Sequence, residues 1–100
     1  MRTRLLTAAE LELMREVAYY SRARIGLGQR FLAAVESVVD RASRHPQAGI
    51  PTFGGTRRML VKGFPFSVVY AVEAEELLVI AIAAHRRQPG YWRPRLGSPG

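Results

Sequence analysis

Residues Leu77-Leu-Val-Ile-Ala-Ile-Ala-Ala84 form an unbroken apolar run, and His85-Arg86-Arg87 follows it without a spacer. Eight apolar residues rich in leucine and β-branched side chains, preceded by Glu73, Glu75 and Glu76, predict a strand covered on both faces, the central strand of a small sheet. Such a strand carries its polar successors to one end of the sheet, where rigid backbone holds them in place. Recognition or chemistry is expected at that end.

The chain has 100 residues, enough for one hydrophobic core and no more. It is read as a single domain over 1–95 with a flexible tail over 96–100. It contains no cysteine, and His45 and His85 are its two histidines, so neither a metal site nor a disulfide framework is expected. No motif implies a cofactor. No apolar run reaches the ~18 residues that cross a bilayer, and charges are spread through the N-terminal helical region rather than confined to its start. No membrane association is expected, and the cytoplasm is the expected compartment.

Net charge is +7, and its distribution is uneven. Between Arg41 and Val72 lie five basic residues and no acidic one, and from Leu77 onward Arg86, Arg87, Arg93 and Arg95 stand unopposed. The second half of the chain therefore presents a basic surface, which attracts nucleic acid or an acidic protein.

Arg2-Thr-Arg-Leu-Leu6 is short and alternates imperfectly, as an edge strand with Leu5 or Leu6 turned inward would. Thr7-Ala-Ala-Glu10 has the spacing of a capping box and predicts a helix over 8–24. Its core stripe is read as Leu11, Met14, Ala18 and Ser21, flanked by Leu13, Val17 and Tyr20, with Glu12, Arg15, Glu16 and Arg22 turned away. Ile25-Gly-Leu-Gly28 breaks the pattern, with a glycine placed where a helix usually ends in the left-handed conformation. Helical spacing resumes over 29–44 with Phe31, Leu32, Val35, Val38, Val39 and Ala42 on one face, until His45-Pro46 stops it. The two segments make an αα-hairpin.

Gln47 to Thr56 contains three glycines and one proline and no charge, and reads as a connector. From Arg57 the period is two: Met59 and Val61 share one face, Arg58, Leu60 and Lys62 the other. Gly63-Phe-Pro65 and Glu73-Ala-Glu-Glu76 are reversals on either side of the alternating segment Phe66–Val72. Continued alternation along the last strand places Leu77, Val79, Ala81, Ala83, His85 and Arg87 on one face. The predicted class is α+β: a small antiparallel sheet packed by an N-terminal helical hairpin, order β-α-α-β-β-β, with a C-terminal basic segment.

This order of elements resembles the RelE/ParE superfamily of bacterial toxins. So do Ala18-Tyr19-Tyr20, Arg24-Ile-Gly-Leu-Gly28, the Arg57-Arg58 pair, Phe64-Pro65-Phe66 leading into Val69-Tyr70, and His85-Arg86-Arg87 followed by Pro89 and Trp92-Arg93-Pro-Arg95. The likeness extends over residues 1–95, and the His-Arg-Arg-x-Pro-x-x-Trp pattern is closer to the ParE-like branch. It implies the toxin half of a type II toxin–antitoxin module, neutralised by a cognate antitoxin, with operator DNA bound only through that antitoxin. ParE-like members are associated with poisoning DNA gyrase; RelE-like members cut messenger RNA on the ribosome.

Cutting RNA without a metal requires proton transfer at the 2′-hydroxyl and the leaving oxygen, and cations for the charge on phosphorus. The candidates are His85, Arg58, Arg87 and Tyr91. A histidine at a strand end is more often a hydrogen-bonded structural group. The dense lysine run of the best-known RNA-cutting relatives is missing, Lys62 being the one lysine. A gyrase poison needs a docking surface instead; its candidates are Lys62, Arg57, Arg86, Trp92, Arg93 and Arg95, and exposed residues of the helical hairpin. The expected reading is a non-catalytic, gyrase-binding toxin. The alternatives are a ribosome-dependent endoribonuclease and a non-toxic relic that only binds its antitoxin or acts as co-repressor.

Overall fold

The computed structural model describes residues 1–97; the end of the tail, 98–100, lies outside the described residues. Strand β1 (Arg2–Leu5) leads into helices α1 (Thr7–Ala23) and α2 (Leu27–Arg44). Strands β2 (Ile50–Pro51), β3 (Arg57–Leu60), β4 (Phe66–Glu73) and β5 (Glu76–Ala84) follow, with 3-10 turns at Phe53–Gly55 and Arg93–Arg95. The sheet order is β1-β5-β4-β3-β2. All pairs are antiparallel except β1 with β5, which is parallel.

The α+β class and the hairpin-then-meander order are therefore as expected, with two refinements. The sheet is mixed, because the helical hairpin returns the chain to the far end before β5 pairs with β1. The supposed connector also contributes an edge strand of two residues, where Pro51 is tolerated because one side of that strand needs no donor. β5 has a partner on each side, but β4 is the middle strand. No helix among the described residues is long and apolar enough to cross a membrane.

The helices cover one face of the sheet. Phe31, Val35, Val38 and Ala42 of α2 are buried against Met59, Phe66, Val68, Val79 and Ile82 in a single apolar cluster. Phe31 lies 5.0 Å from the ring centres of both Phe64 and Phe66, edge to face, a geometry favoured by the aromatic quadrupole. Tyr70 is fully buried, and its hydroxyl is satisfied by donating to Pro46 O at 2.8 Å and accepting from Gly49 N–H at 3.0 Å.

Three local expectations are corrected. Thr7 is not a cap: it is already helical, Leu6 stands at the cap position, and no side chain bonds the free N–H groups there. Instead Leu6 is buried and its carbonyl accepts from Glu10 N–H, so core packing sets the helix start. The break after α1 does fall on a left-handed glycine: Gly26, with φ of 82°. Gly28 sits within α2, where a Cβ would collide with Ser21 and with the Val17 carbonyl, so it permits the close approach of α1 and α2.

The second correction concerns which side of α1 is inside. Ala9 and Glu12 are buried, with Leu13, Val17 and Tyr20 partly so, whereas Leu11 and Met14 are 54% and 59% exposed and Ala18 and Ser21 are exposed too. The stripe read as core faces solvent. The third concerns β5: a register shift between Val69 and Tyr70 pairs Val69 with Ala81 but Tyr70 with Val79. Opposed residues share a face, so the bulge at Ile80 puts Leu77 and Val79 on the helix side and Ala81 and Ala83 on the other.

Candidate functional site

The face of the sheet away from the helices is where a groove forms. In the paired strands Arg58, Val69 and Ala81 lie opposite one another, and Leu60, Ser67 and Ala83 form the next row. β5 ends at Ala84. His85 is anchored by its N–H donating to Pro65 O at 2.9 Å, and Arg87 N–H returns to Ala84 O at 3.0 Å, so the chain turns instead of continuing the strand. Residues 86–96 then fold back over the sheet, where Trp92 is buried and Tyr91 and Leu96 pack against the core.

Between this returning segment and the sheet lies an open cavity of about 240 Å³, whose walls include Arg58, Ser67, His85, Arg87, Tyr91 and Phe53. All four residues proposed for RNA cutting, Arg58, His85, Arg87 and Tyr91, line it. Arg87 reaches the groove through the turn after β5, not through strand alternation. No acidic residue lines the cavity, and neither Arg58 nor Arg87 is in an ion pair among the described residues.

The groove's chemistry is set by its hydrogen bonds. Ser67, buried on β4, is paired with His85 Nε2 at 2.9 Å. The Arg87 guanidinium lies over the Tyr91 ring, 3.9 Å from its centre, with that of Arg95 at 5.3 Å. The Tyr91 hydroxyl donates to Glu12 Oε2 at 2.6 Å. Burial, the hydrogen bond to the Glu12 carboxylate and that carboxylate's charge together push the Tyr91 phenol far above its usual range. The phenol keeps its proton and points it at α1.

Glu12 is the centre of this arrangement. Its carboxylate accepts from Ile82 N–H at 3.0 Å and from Arg95 Nη1 and Nη2, both at 2.9 Å, while Arg95 also donates to Ile80 O at 3.1 Å. The bond to Glu12 is the main reason the Arg95 guanidinium is held above its ordinary range. The cluster pins the wall of the groove to α1.

The residues proposed for docking separate into distinct places. Arg57 is half-buried and donates to the carbonyls of Gln47 and Gly49, which ties down the segment before β2. Lys62 is exposed in the turn after β3, and Arg86 is exposed after β5; neither lines the groove. Trp92 forms part of the groove floor, Arg93 lies over Phe53 at 4.7 Å, and Arg95 is consumed by Glu12. Residue-by-residue reading missed Ser67, Phe53 and Glu12. Ser67 was legible in the alternation with Val69, but Phe53 sits in an uncharged connector, and Glu12 carried every mark of a solvent-facing helix residue.

Residues 4–89 match the sequence family described as ParE toxin of type II toxin-antitoxin system, parDE. No curated protein matches at a significant level. Among solved structures the chain is similar to one titled "Chromosomal ParDE TA system from P. aeruginosa", at 21% identity and a TM-score of 0.62, with 84% of this chain and 95% of that chain covered. At that identity the likeness concerns the fold. The family match, extending over far more than half of the sequence, shows that the chain belongs to the ParE toxin family, the toxin component of a type II toxin–antitoxin system.

Proposed function

We propose that this toxin acts in the cytoplasm by binding its target rather than by catalysis, that the target is DNA gyrase, and that its cognate antitoxin releases the block. The observation that supports this most is the commitment of Tyr91. Its hydroxyl donates to a buried carboxylate and its ionisation is suppressed, so it is a poor source or acceptor of the protons that cutting RNA requires. Lys62 is outside the groove, which leaves His85 as the one other proton carrier there, already paired with Ser67. A docking surface needs none of these groups to titrate. Arg58 and Arg87, without carboxylate partners among the described residues, supply charge for an acidic surface or a DNA backbone.

Ribosome-dependent RNA cleavage is the second reading. It is favoured by the convergence of Arg58, His85 and Arg87 on one cavity. Growth inhibition by the His85→Ala variant separates the two: the binding reading expects toxicity within a few-fold of the parent, because imidazole chemistry is not used. Loss of toxicity in a variant that still folds and still binds antitoxin would favour RNA cutting.

A further inference from the structure

The groove on the open face of the sheet has the donors of a phosphate site. Arg58 and Arg87 both line it and no acidic residue does, and neither arginine is in an ion pair among the described residues. Arg87 is held by the face of the Tyr91 ring, 3.9 Å from its centre, and that ring is held by the bond from its hydroxyl to Glu12. Stacking fixes a guanidinium while leaving its N–H edge free, which suits two oxygens of one phosphate. The Ser67–His85 pair adds a donor in either tautomer. If Ser67 donates to Nε2, the imidazole proton sits on Nδ1; if Nε2–H donates to Ser67 Oγ, the serine proton is left over.

Beside these donors stand aromatic and apolar walls. Phe53 is 43% exposed and lines the cavity together with Val69, Ala83 and the buried Trp92. Its ring is fixed in place: Arg93 lies over it at 4.7 Å, and a Cβ on Gly90 would come within 3.0 Å of its edge. A carboxylate of a protein partner would answer the arginines and leave this ring and floor uncovered. A nucleotide answers both, because its phosphate meets the guanidiniums and its base stacks on the ring. The cavity of about 240 Å³ has room for one nucleotide and not for a base pair, and a base inside a duplex has no free face to offer.

We infer that the groove takes one unpaired nucleotide of DNA, its phosphate held by Arg58 and Arg87 and its base lying against Phe53, so that the toxin touches the DNA of its target complex directly. The choice of DNA rests on the reading of gyrase as target; the combination of base and phosphate rests on the groove alone.

The probe is a fluorescently labelled oligothymidylate of about 12 nucleotides, read by anisotropy with the intact toxin and no gyrase present. Its controls are an abasic strand of the same length, the thymidine strand paired into a duplex, and an oligouridylate. The thymidine strand should bind at least ~10-fold more tightly than the abasic strand or the duplex, and no less tightly than the uridine strand. Phe53→Leu should weaken its binding about 10-fold, whereas Phe53→Tyr, which keeps the ring, should bind like the parent. Arg58→Ala and Arg87→Ala should each lower the slope of log affinity against log salt by about 0.7. Arg41→Ala, which removes the same charge from the exposed last turn of α2, should leave that slope unchanged. An abasic strand bound as tightly, a preference for duplex or for the uridine strand, or slopes in Arg58→Ala and Arg87→Ala equal to that of Arg41→Ala overturns the inference. Gyrase inhibition by a toxin that binds no strand would remove this site and leave the gyrase reading. Strand binding without gyrase inhibition would leave the site and remove that reading.

Discussion

The Glu12 carboxylate and the Arg95 guanidinium meet in a two-point hydrogen-bonded ion pair, 2.9 Å at each contact, across 83 positions of sequence. The pair also completes the sheet. β1 ends at Leu5, and the last backbone bond on that side of β5 is Leu6 N–H to Val79 O. Beyond it, Ile82 N–H and Ile80 C=O have no neighbouring strand on that edge, and Glu12 and Arg95 bond them as a strand would. Unpaired backbone at a buried strand edge is costly, so the same two side chains that hold the C-terminal segment also seal the sheet.

Removing Glu12 should therefore be among the most damaging single substitutions. Breaking one partner of a buried ion pair costs about 3–5 kcal/mol, and the residual exposure of the Arg95 side chain, 22%, places the value at the lower end. Glu12→Ala is expected to cost about 3 kcal/mol in chemical denaturation. The double variant with Arg95→Ala should be clearly less unstable than the sum of the single variants, since both remove the same interaction. Additive losses would mean that the pair does not act as a unit.

Alkaline pH should loosen the same corner. The folded Tyr91 phenol is held above its ordinary value, whereas in the unfolded chain it ionises near about pH 10. Above that pH the unfolded state loses a proton that the folded state retains, so stability falls as pH rises. Tyr91→Phe should flatten this fall in urea titrations above about pH 10 while lowering stability at neutral pH. An unchanged slope would remove Tyr91 as its source.

The β4–β5 hairpin carries avoidable strain. Glu73 pairs with Glu76, leaving Ala74 and Glu75 as the two turn residues, at φ of 51° and 63°. Positive φ at both positions is the geometry of a type I′ turn, which Asn-Gly adopts readily and alanine and glutamate do not. Replacing Ala74-Glu75 by Asn-Gly should stabilise the fold by about 1 kcal/mol, read as a raised urea midpoint with an unchanged slope. A lowered midpoint would mean that other contacts fix this turn.

What the sequence made legible is what repeats at short range. The α2 stripe from Phe31 to Ala42, the Gly26 region as a break, the alternation of Met59 against Arg58 and Leu60, and the strand from Leu77 all have periods that local chemistry enforces. α1 misled because both of its sides carry apolar residues at helical spacing. Leu11, Met14 and Ala18 look as apolar as Ala9, Leu13, Val17 and Tyr20, yet the second set is nearer the core and Glu12 is buried beside it. A glutamate goes inside only when a distant partner meets it, and nothing near position 12 announces Arg95. The bulge at Ile80 was invisible for another reason: an apolar run looks the same with either face inward. The groove could be anticipated at the end of β5, but its wall could not, because the turn at Arg87 and the return of Tyr91 and Trp92 depend on that long-range pair.

Groove charge is expected to matter for activity without governing the fold. Arg58 and Arg87 have no carboxylate partners among the described residues, so Arg58→Ala and Arg87→Ala should each change stability by no more than about 1 kcal/mol. Each should weaken growth inhibition several-fold, and the joint variant should weaken it more. Full toxicity in the joint variant, at matched expression, would move the target-binding surface away from this groove.

The central claim is that the toxin binds gyrase and does no chemistry of its own. Its most direct test adds the purified toxin to a gyrase supercoiling reaction with a readout of cleaved DNA, beside a ribosome-programmed message examined by primer extension. The account predicts loss of supercoiling with accumulated cleaved DNA, retained by His85→Ala, and an intact message. Codon-phased cuts in the message, with supercoiling unaffected, would contradict it.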